Sequence, residues 1–434
     1  MKDKMLGRWT ATSLVVGNMV GAGVFMMPAL LAVYGGISIL GWLLSTLGAV
    51  LVAILFSRFS KLMPGIQGGP YAFTRKGLGE FPGFLVAWGY WISVWTTNAA
   101  LAVAFVSYLS VIFPVLGSEM YYSIGSALAV IWGLSWFNTL GVGKVGKMSL
   151  ITTVLKLLPI VAIGATGIFY INVDHFIPLN LSQESNWTAI IATSTLTFFS
   201  YLGIESATIP AENIKDPETN IPFATKWGTL IAAFVYILSS ISILGLISPE
   251  TLSMSGAPFS DAAELLWGSG AKIFVTLAAI ISVFGALNGW ILIQGQMPEA
   301  IARDNLFPTL FKKKNKRGIP AMGIFISSVL ASILIVMNYS GSLMEVFKFM
   351  ILVSTVSVLI PYIFCAISYM ILMPKKTYGK LKNFGILALA SSTLIFSLIA
   401  LIGSGFDSVF WGLLFLMIGL PVYAIMEKSK ISKT

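Results

Sequence analysis

Apolar residues run in long blocks along this chain, and polar ones gather between them. The blocks are centred on 10–34, 37–58, 82–113, 121–139, 145–171, 190–211, 222–247, 271–299, 320–338, 345–373, 384–403 and 408–426. At about 20 residues or more, each matches the length a helix needs to cross a bilayer. Several exceed that length, which implies tilt or interruption. Two carry an interruption in their own sequence. The first span reads "VVGNMVGAGVFMMP" from Val15 to Pro28, with Gly21-Ala22-Gly23 at its middle and Gly17 four residues before Gly21. Glycine costs about 1 kcal/mol relative to alanine inside a helix, so this span is weakened halfway across. The sixth reads "FFSYLGIES" from Phe198 to Ser206, weakened near Ser200 to Gly203. With five spans to a half, these are equivalent positions.

Composition agrees with the blocks. The chain is 57% hydrophobic and only 10% charged, against about 25% charged in soluble domains, which excludes a single water-soluble core. The first span follows Lys2, Lys4 and Arg8 as a secretory signal would, but it is longer than a signal's apolar core of about 7–15 residues. It is expected to be retained. The net charge of +10 concerns topology and not nucleic acid. All but three of the 27 Lys and Arg lie in the termini and in the loops after even-numbered spans. Lys272 and Lys348 lie on the opposite side, and Lys156 lies within a span. Positive loops stay cytoplasmic, so both termini are expected inside. "KKKNKR" (Lys312 to Arg317) then serves orientation and contact with anionic membrane lipid. One cysteine, Cys365, permits no intramolecular disulfide. One histidine, His175, sits beside Asp174 in a polar loop and reads as solvated. No Ser-His-Asp, Cys-His or metal-binding set can be built from these, so neither an enzyme nor a cofactor is expected.

Two charges do not avoid the apolar spans: Lys156 in "TTVLKLLPIV" and Glu205 in "SYLGIESAT". An ionisable group near the bilayer centre costs at least about 2.5–3.5 kcal/mol and is a functional candidate by default. The plainer readings are a structural ion pair or a lysine snorkelling to an interface. Lys156 lies about eleven residues, or roughly 16 Å of helical rise, inside its span, too deep for easy snorkelling. Matched breaks in two halves point to a secondary transporter built from inverted repeats. Amides after the first break, around Ala22 to Val24, can hold a carboxylate at the positive end of a helix dipole. Carbonyls before it, around Met19 and Val20, can accept from an ammonium. A molecule with both groups on neighbouring atoms is an amino acid. The competing reading is close helix packing, and Gly17-x-x-x-Gly21 fits that pattern too.

Four motifs, in order, resemble the amino acid–polyamine–organocation transporters, and most closely the bacterial arginine/agmatine antiporters. They are "GNMVGAGVFMMP" in span 1, "GGPYAFTRKGLGEFPGFLVAWGYW" into span 3, "ENIKDPETNIPFA" after span 6 and "RDNLFP" after span 8. The resemblance runs from about Leu6 to the last span. It implies an all-α integral membrane protein of twelve transmembrane helices, a five-plus-five inverted repeat with helices 1 and 6 unwound. Residues 1–434 then form one domain, with repeats at about 8–172 and 188–373 and two further helices at about 384–426. It also implies that Met19, Val20, Ala22 and Gly23 bind the substrate's amino and carboxylate groups through their backbone, with Phe199 and Leu202 in the matching places of span 6. Ser93 and Asn98 join them from span 3, Asn98 as a ligand for the substrate's distal group. Tyr90, Trp290 and Tyr362 match aromatic gates and Glu205 an acidic gate residue, while Trp91 and Trp95 read as packing or interface residues.

Departures from that pattern matter. The antiporters typically have serine where Ala22 stands and tryptophan where Phe199 stands, and they lack a lysine at Lys156. A lysine there resembles relatives that carry neutral amino acids, in which its ammonium stands where sodium-coupled cousins hold a cation. The expectation is a plasma-membrane exchanger of a cationic amino acid, of the arginine/agmatine type, working by alternating access. Trp290 and Asn98 favour the cationic side chain. A proton-linked or exchanging neutral amino acid permease is the alternative, favoured by Lys156 and Ala22. A channel or a non-transporting sensor is the reading from another class, and a homodimer stays open as the assembly.

Overall fold

The computed structural model describes residues 6–66, 68–140, 156–209, 211, 214–338, 342–373 and 380–431. The first span is two helices, α1 (Arg8–Met19) and α2 (Ala22–Ala32), and α3 (Ser38–Leu62) is the second span. A short helix, α4 (Pro70–Leu78), precedes α5 (Glu80–Leu109), the third span. After the single turn α6 (Val115–Ser118) comes α7 (Met120–Asn138), the fourth. The fifth span is described from Lys156 onward, as α8 (Lys156–Tyr170); its expected start at 145–155 lies outside the described residues. The sixth begins with α9 (Asn186–Phe198) and continues in two 3-10 turns, Phe199–Tyr201 and Ile204–Ala207. The seventh is α10 (Pro217–Leu246), followed by the short α11 (Pro249–Ser253) and α12 (Pro258–Trp267). The last five are α13 (Ser269–Arg303), α14 (Ala321–Asn338), α15 (Leu343–Leu372), α16 (Lys380–Gly403) and α17 (Phe406–Ile431). Among the described residues, 10 helical stretches are long and apolar enough to cross a membrane. The 19 residues of α7 and the described part of α8 occupy the other two expected positions.

Helix ends follow local chemistry. Gly79 holds φ 98° between α4 and α5, a conformation side chains resist, and Glu80 then opens α5 at the positive end of its dipole. At α15, Ser342 and Glu345 form a reciprocal capping box. Around the bundle centre, α5 and α15 are buried along most of their length, whereas α17 exposes Phe410, Leu413, Met417 and Ile418. Backbone polar groups in hydrocarbon must be satisfied internally, so irregular backbone survives only inside protein. Both breaks obey this: Val20 is 0% exposed and Leu202 4%.

On the side carrying the basic loops, the chain ends of the two broken spans are clasped. Leu6 bridges to Ile214, and the Lys215 amide donates to the Leu6 carbonyl at 3.0 Å. The Arg8 guanidinium lies 4.7 Å over the Phe223 ring, and Trp9 meets the same ring edge-on at 5.4 Å. Nearby, two of the sequence motifs join. Arg75 pairs with Glu80 at 2.9 Å and Asp304 at 3.5 Å, and Tyr71 donates to Asp304 at 3.0 Å. Burial first, and the Asp304 carboxylate second, push the Tyr71 phenol above its usual range, so it remains a donor. Cys365 is wholly buried in α15 against α4, its thiol within 3.5 Å of the Pro70 carbonyl. His175, expected as solvated, is half-buried with Nδ1 2.9 Å from the Gly245 carbonyl. That carbonyl sits near the end of α10, where helix acceptors lack partners.

Candidate functional site

The first break falls earlier than the glycine run suggested. Val20 is extended (φ −76°, ψ 92°) and Gly21 leaves helical geometry (φ −138°, ψ −145°), whereas Ala22 and Gly23 are already the first turn of α2. Orphan amides belong to a helix's first turn whatever its residues, so Gly23 costs little there. Both glycines are required for space. A Cβ on Gly21 would lie 3.1 Å from Ala286 of α13, and one on Gly23 would lie 2.6 Å from Ser200 Oγ and 3.1 Å from Ser200 Cα. Close packing and an open helix end are therefore one feature. Gly21 caps α2 without a side-chain bond, leaving the amides of Ala22, Gly23 and Val24 at the helix's positive end.

Carbonyls at the end of α1 are partly claimed. Val16 accepts from the Val20 amide at 2.8 Å, Gly17 from the Lys156 ammonium, and Asn18 from Trp290 Nε1 at 3.3 Å. Lys156 is 1% exposed, so its charge is set against the negative end of α1 in place of water. The carbonyls of Met19 and Val20 follow at the break itself.

In the sixth span, Leu202 is extended (φ −61°, ψ 132°) and Gly203 is left-handed at φ 106°. Tyr236 donates to the Ser200 carbonyl at 3.1 Å, and Asn18 Nδ2 reaches across to Ser206 Oγ at 2.9 Å. The two breaks face each other over one cavity. It is lined by Asn18, Met19, Gly21, Ala22, Gly23, Thr97, Leu101, Phe199, Ser200, Leu202 and Trp290. It holds about 10 Å³, barely the space of one water. The surrounding side chains have closed onto it.

Glu205 lies on the far side of the second break from α9, 0% exposed. It accepts from the Tyr90 hydroxyl at 2.5 Å and the Tyr362 hydroxyl at 2.7 Å, bridging α5 and α15. The three expected gate residues thus form one hydrogen-bonded unit.

Of the expected binding residues, Met19, Ala22, Gly23, Phe199, Leu202 and Trp290 line the cavity; Val20, Ser93 and Asn98 do not. The Ser93 carbonyl instead accepts from Ser354 at 3.0 Å. Asn98 gives Nδ2 to Gln294 Oε1 at 2.6 Å, so its donor is already engaged. Trp91 is a packing residue, bonded to Ser327 and flanked by Phe307 and Phe311, and Trp95 stacks near Phe415. Sequence reasoning missed Asn18, Thr97, Leu101 and Ser200. Asn18 carried a usable signal, as an amide side chain in an apolar span just before the break. Leu101 is indistinguishable in sequence from any packing leucine.

Comparison with known proteins follows the same lines. A family model described as amino acid permease matches residues 6–427. The cadaverine/lysine antiporter of Escherichia coli K12 is 28% identical over 407 residues, covering 92% of this chain and 90% of that protein. The arginine/ornithine antiporter of Pseudomonas aeruginosa is 26% identical over 368 residues, 82% of this chain and 76% of its own. Among solved structures, MhsT in complex with L-phenylalanine aligns with a TM-score of 0.65 at 14% identity, over 93% of this chain and 100% of that one. That likeness is one of fold.

Proposed function

Because the chain belongs to the amino acid permease family, we propose that it is a secondary-active transporter of the plasma membrane, both termini cytoplasmic, exchanging a cationic amino acid for a related amino acid or amine. The observation that carries this reading is the meeting of two broken helices on one cavity beside the Trp290 ring. Amides of Ala22, Gly23 and Val24 take the carboxylate, and the free backbone at Met19, Val20, Phe199 and Leu202 takes the ammonium. The face of Trp290 suits a guanidinium or ammonium on the side chain. The names of the Escherichia coli and Pseudomonas aeruginosa relatives, which pair lysine or arginine with an amine or ornithine, support the cationic class.

A cavity of about 10 Å³ cannot hold an amino acid, so transport requires the walls to part on one side at a time. The Tyr90–Glu205–Tyr362 unit stands where the inward path would open. A carboxylate bonded to two gate tyrosines can link protonation to that opening. Lys156 supplies a fixed positive charge at the end of α1, which makes exchange independent of sodium. A neutral-substrate permease is the second reading, favoured by Lys156 and by the methyl of Ala22. To decide, proteoliposomes are loaded with lysine, arginine, leucine or buffer alone, and entry of labelled lysine is followed. Entry only into vesicles holding a cationic countersubstrate is expected. Entry that demands sodium, or equal entry into empty vesicles driven by a proton gradient, would overturn the exchanger reading.

A further inference from the structure

A chain of buried amides and hydroxyls runs beside the cavity and is not used by the machinery above. Asn98 on α5 and Gln294 on α13 are both 0% exposed. Asn98 Nδ2 donates to Gln294 Oε1 at 2.6 Å; Gln294 Nε2 donates to Ser328 Oγ of α14 at 2.9 Å, and that hydroxyl also meets Ser135 Oγ of α7 at 2.7 Å. Amide orientation decides what this chain does, and a hydroxyl alone cannot set it, since it can donate or accept. The Ile324 carbonyl can. It lies 3.4 Å from Gln294 Nε2 and can only accept. The amide end of Gln294 must therefore face α14, its oxygen must face Asn98, and Asn98 must turn its own NH2 toward Gln294. What remains is the Asn98 oxygen, buried and without a hydrogen-bond partner among the described residues. An unpartnered buried acceptor is unfavourable, and such groups in native structures need an explanation.

Placement supplies one. Asn98 follows Thr97 and precedes Leu101 by three residues on α5, and both neighbours line the cavity. Gln294 follows Trp290, another lining residue, by one turn of α13. The pair therefore closes the end of the cavity toward which the side chain of a substrate lying on Trp290 extends. We propose that Gln294 is a positioning residue: by accepting the Asn98 amide it commits the Asn98 oxygen to the substrate, so that the site reads a hydrogen-bond donor at the substrate's far end. This rests on the reading of the cavity as a cationic amino acid site and sharpens it. An ammonium or guanidinium satisfies the oxygen, whereas a side chain ending in a methyl leaves it unpaired. Without Gln294, the Asn98 amide can turn over and present its NH2, and the distinction weakens.

The test uses the full-length purified protein in nanodiscs, with equilibrium binding of lysine and of norleucine, which is lysine without the terminal amine. Wild type is expected to prefer lysine. Gln294→Met, similar in volume but unable to bond, is expected to lower the lysine-to-norleucine affinity ratio about tenfold, the order of one hydrogen bond to a charged group. Asn98→Ala is expected to lower it similarly, and the double variant no further, since both act through one oxygen. A ratio unchanged in Gln294→Met, or losses that multiply in the double variant, overturns the proposal. Should Gln294→Met not fold, Ser328→Ala releases the same amide from one of its two acceptors and is expected to lower the ratio about threefold; an unchanged ratio there also overturns it. A wild type that binds both ligands but does not prefer lysine sinks the cationic reading itself. A preference that survives loss of Gln294 sinks only the positioning role.

Discussion

Replacing Gly23 with alanine adds one methyl at the closest approach of the two broken helices. A Cβ there would stand 2.6 Å from Ser200 Oγ, 3.2 Å from Ser200 Cβ and 3.1 Å from Ser200 Cα, against about 3.5–4.0 Å for comfortable carbon contacts. The hydroxyl can rotate aside; the Cα cannot, so the Phe199–Tyr201 turn must retreat by a few tenths of an ångström. Such overpacking typically costs about 1–3 kcal/mol. The better helix propensity of alanine offsets up to about 1 kcal/mol, leaving a net stability loss of about 0–2 kcal/mol. Binding suffers separately, because the displaced turn and the shifted amides both border the cavity. A loss of about 1–2 kcal/mol, or roughly fivefold to thirtyfold in lysine affinity, is expected. Ser200→Gly removes the two nearest atoms of that contact. The lost Oγ makes no hydrogen bond in the structure, so the double variant is expected to recover at least half of the lost binding energy. Isothermal titration and thermal melting on the four proteins give the full cycle. Wild-type affinity in Gly23→Ala, or a double variant that is merely additive, would refute the reasoning.

Three more outcomes follow. Trp290→Leu is expected to weaken lysine binding by up to about thirtyfold and Trp290→Phe by less, as a cation over a ring contributes roughly 0.5–2 kcal/mol; equal losses measured by titration would count against the ring. Glu205→Ala strands two buried hydroxyls, at about 1–3 kcal/mol each, and is expected to lower the melting temperature and alter the pH dependence of exchange, whereas Tyr90→Phe should shift both less. An unaltered pH profile in Glu205→Ala vesicles removes the carboxylate from coupling. Lys156→Met leaves the Gly17 carbonyl unpaired and is expected to reduce exchange more than tenfold. In wild type, a second cation about 4 Å from the ammonium would be repelled by about 4 kcal/mol at an effective dielectric of 20, so replacing external sodium with choline should leave the rate unchanged.

Much of the architecture was legible because the bilayer imposes it. Span length and the loops' positive charge come from the solvent, so they can be read without knowing a single contact. The breaks were legible as glycine clusters, but their register was not. Gly21 and Gly23 are short of side chain because of Ala286 and Ser200, residues far away in the chain, and sequence gives no view of such clearances. Distance along the chain also hid the pairing of Asn98. Its partner lies 196 residues away, and an amide that looks like a ligand looks the same when it is held by another amide. Lys156 and Glu205 stood out because a charge in an apolar run is conspicuous wherever its partner lies.

The lone thiol has a practical consequence. Cys365 is 0% exposed, and no other cysteine exists in the chain. Maleimide reagents will pass over it in the folded protein, so a cysteine introduced elsewhere can be labelled without first removing the native one. Trp9 and Phe223, facing each other across the clasp that holds the ends of the two broken spans, are a natural pair of attachment points. Spin labels there would report the clasp's separation during turnover while leaving every cavity-lining side chain untouched.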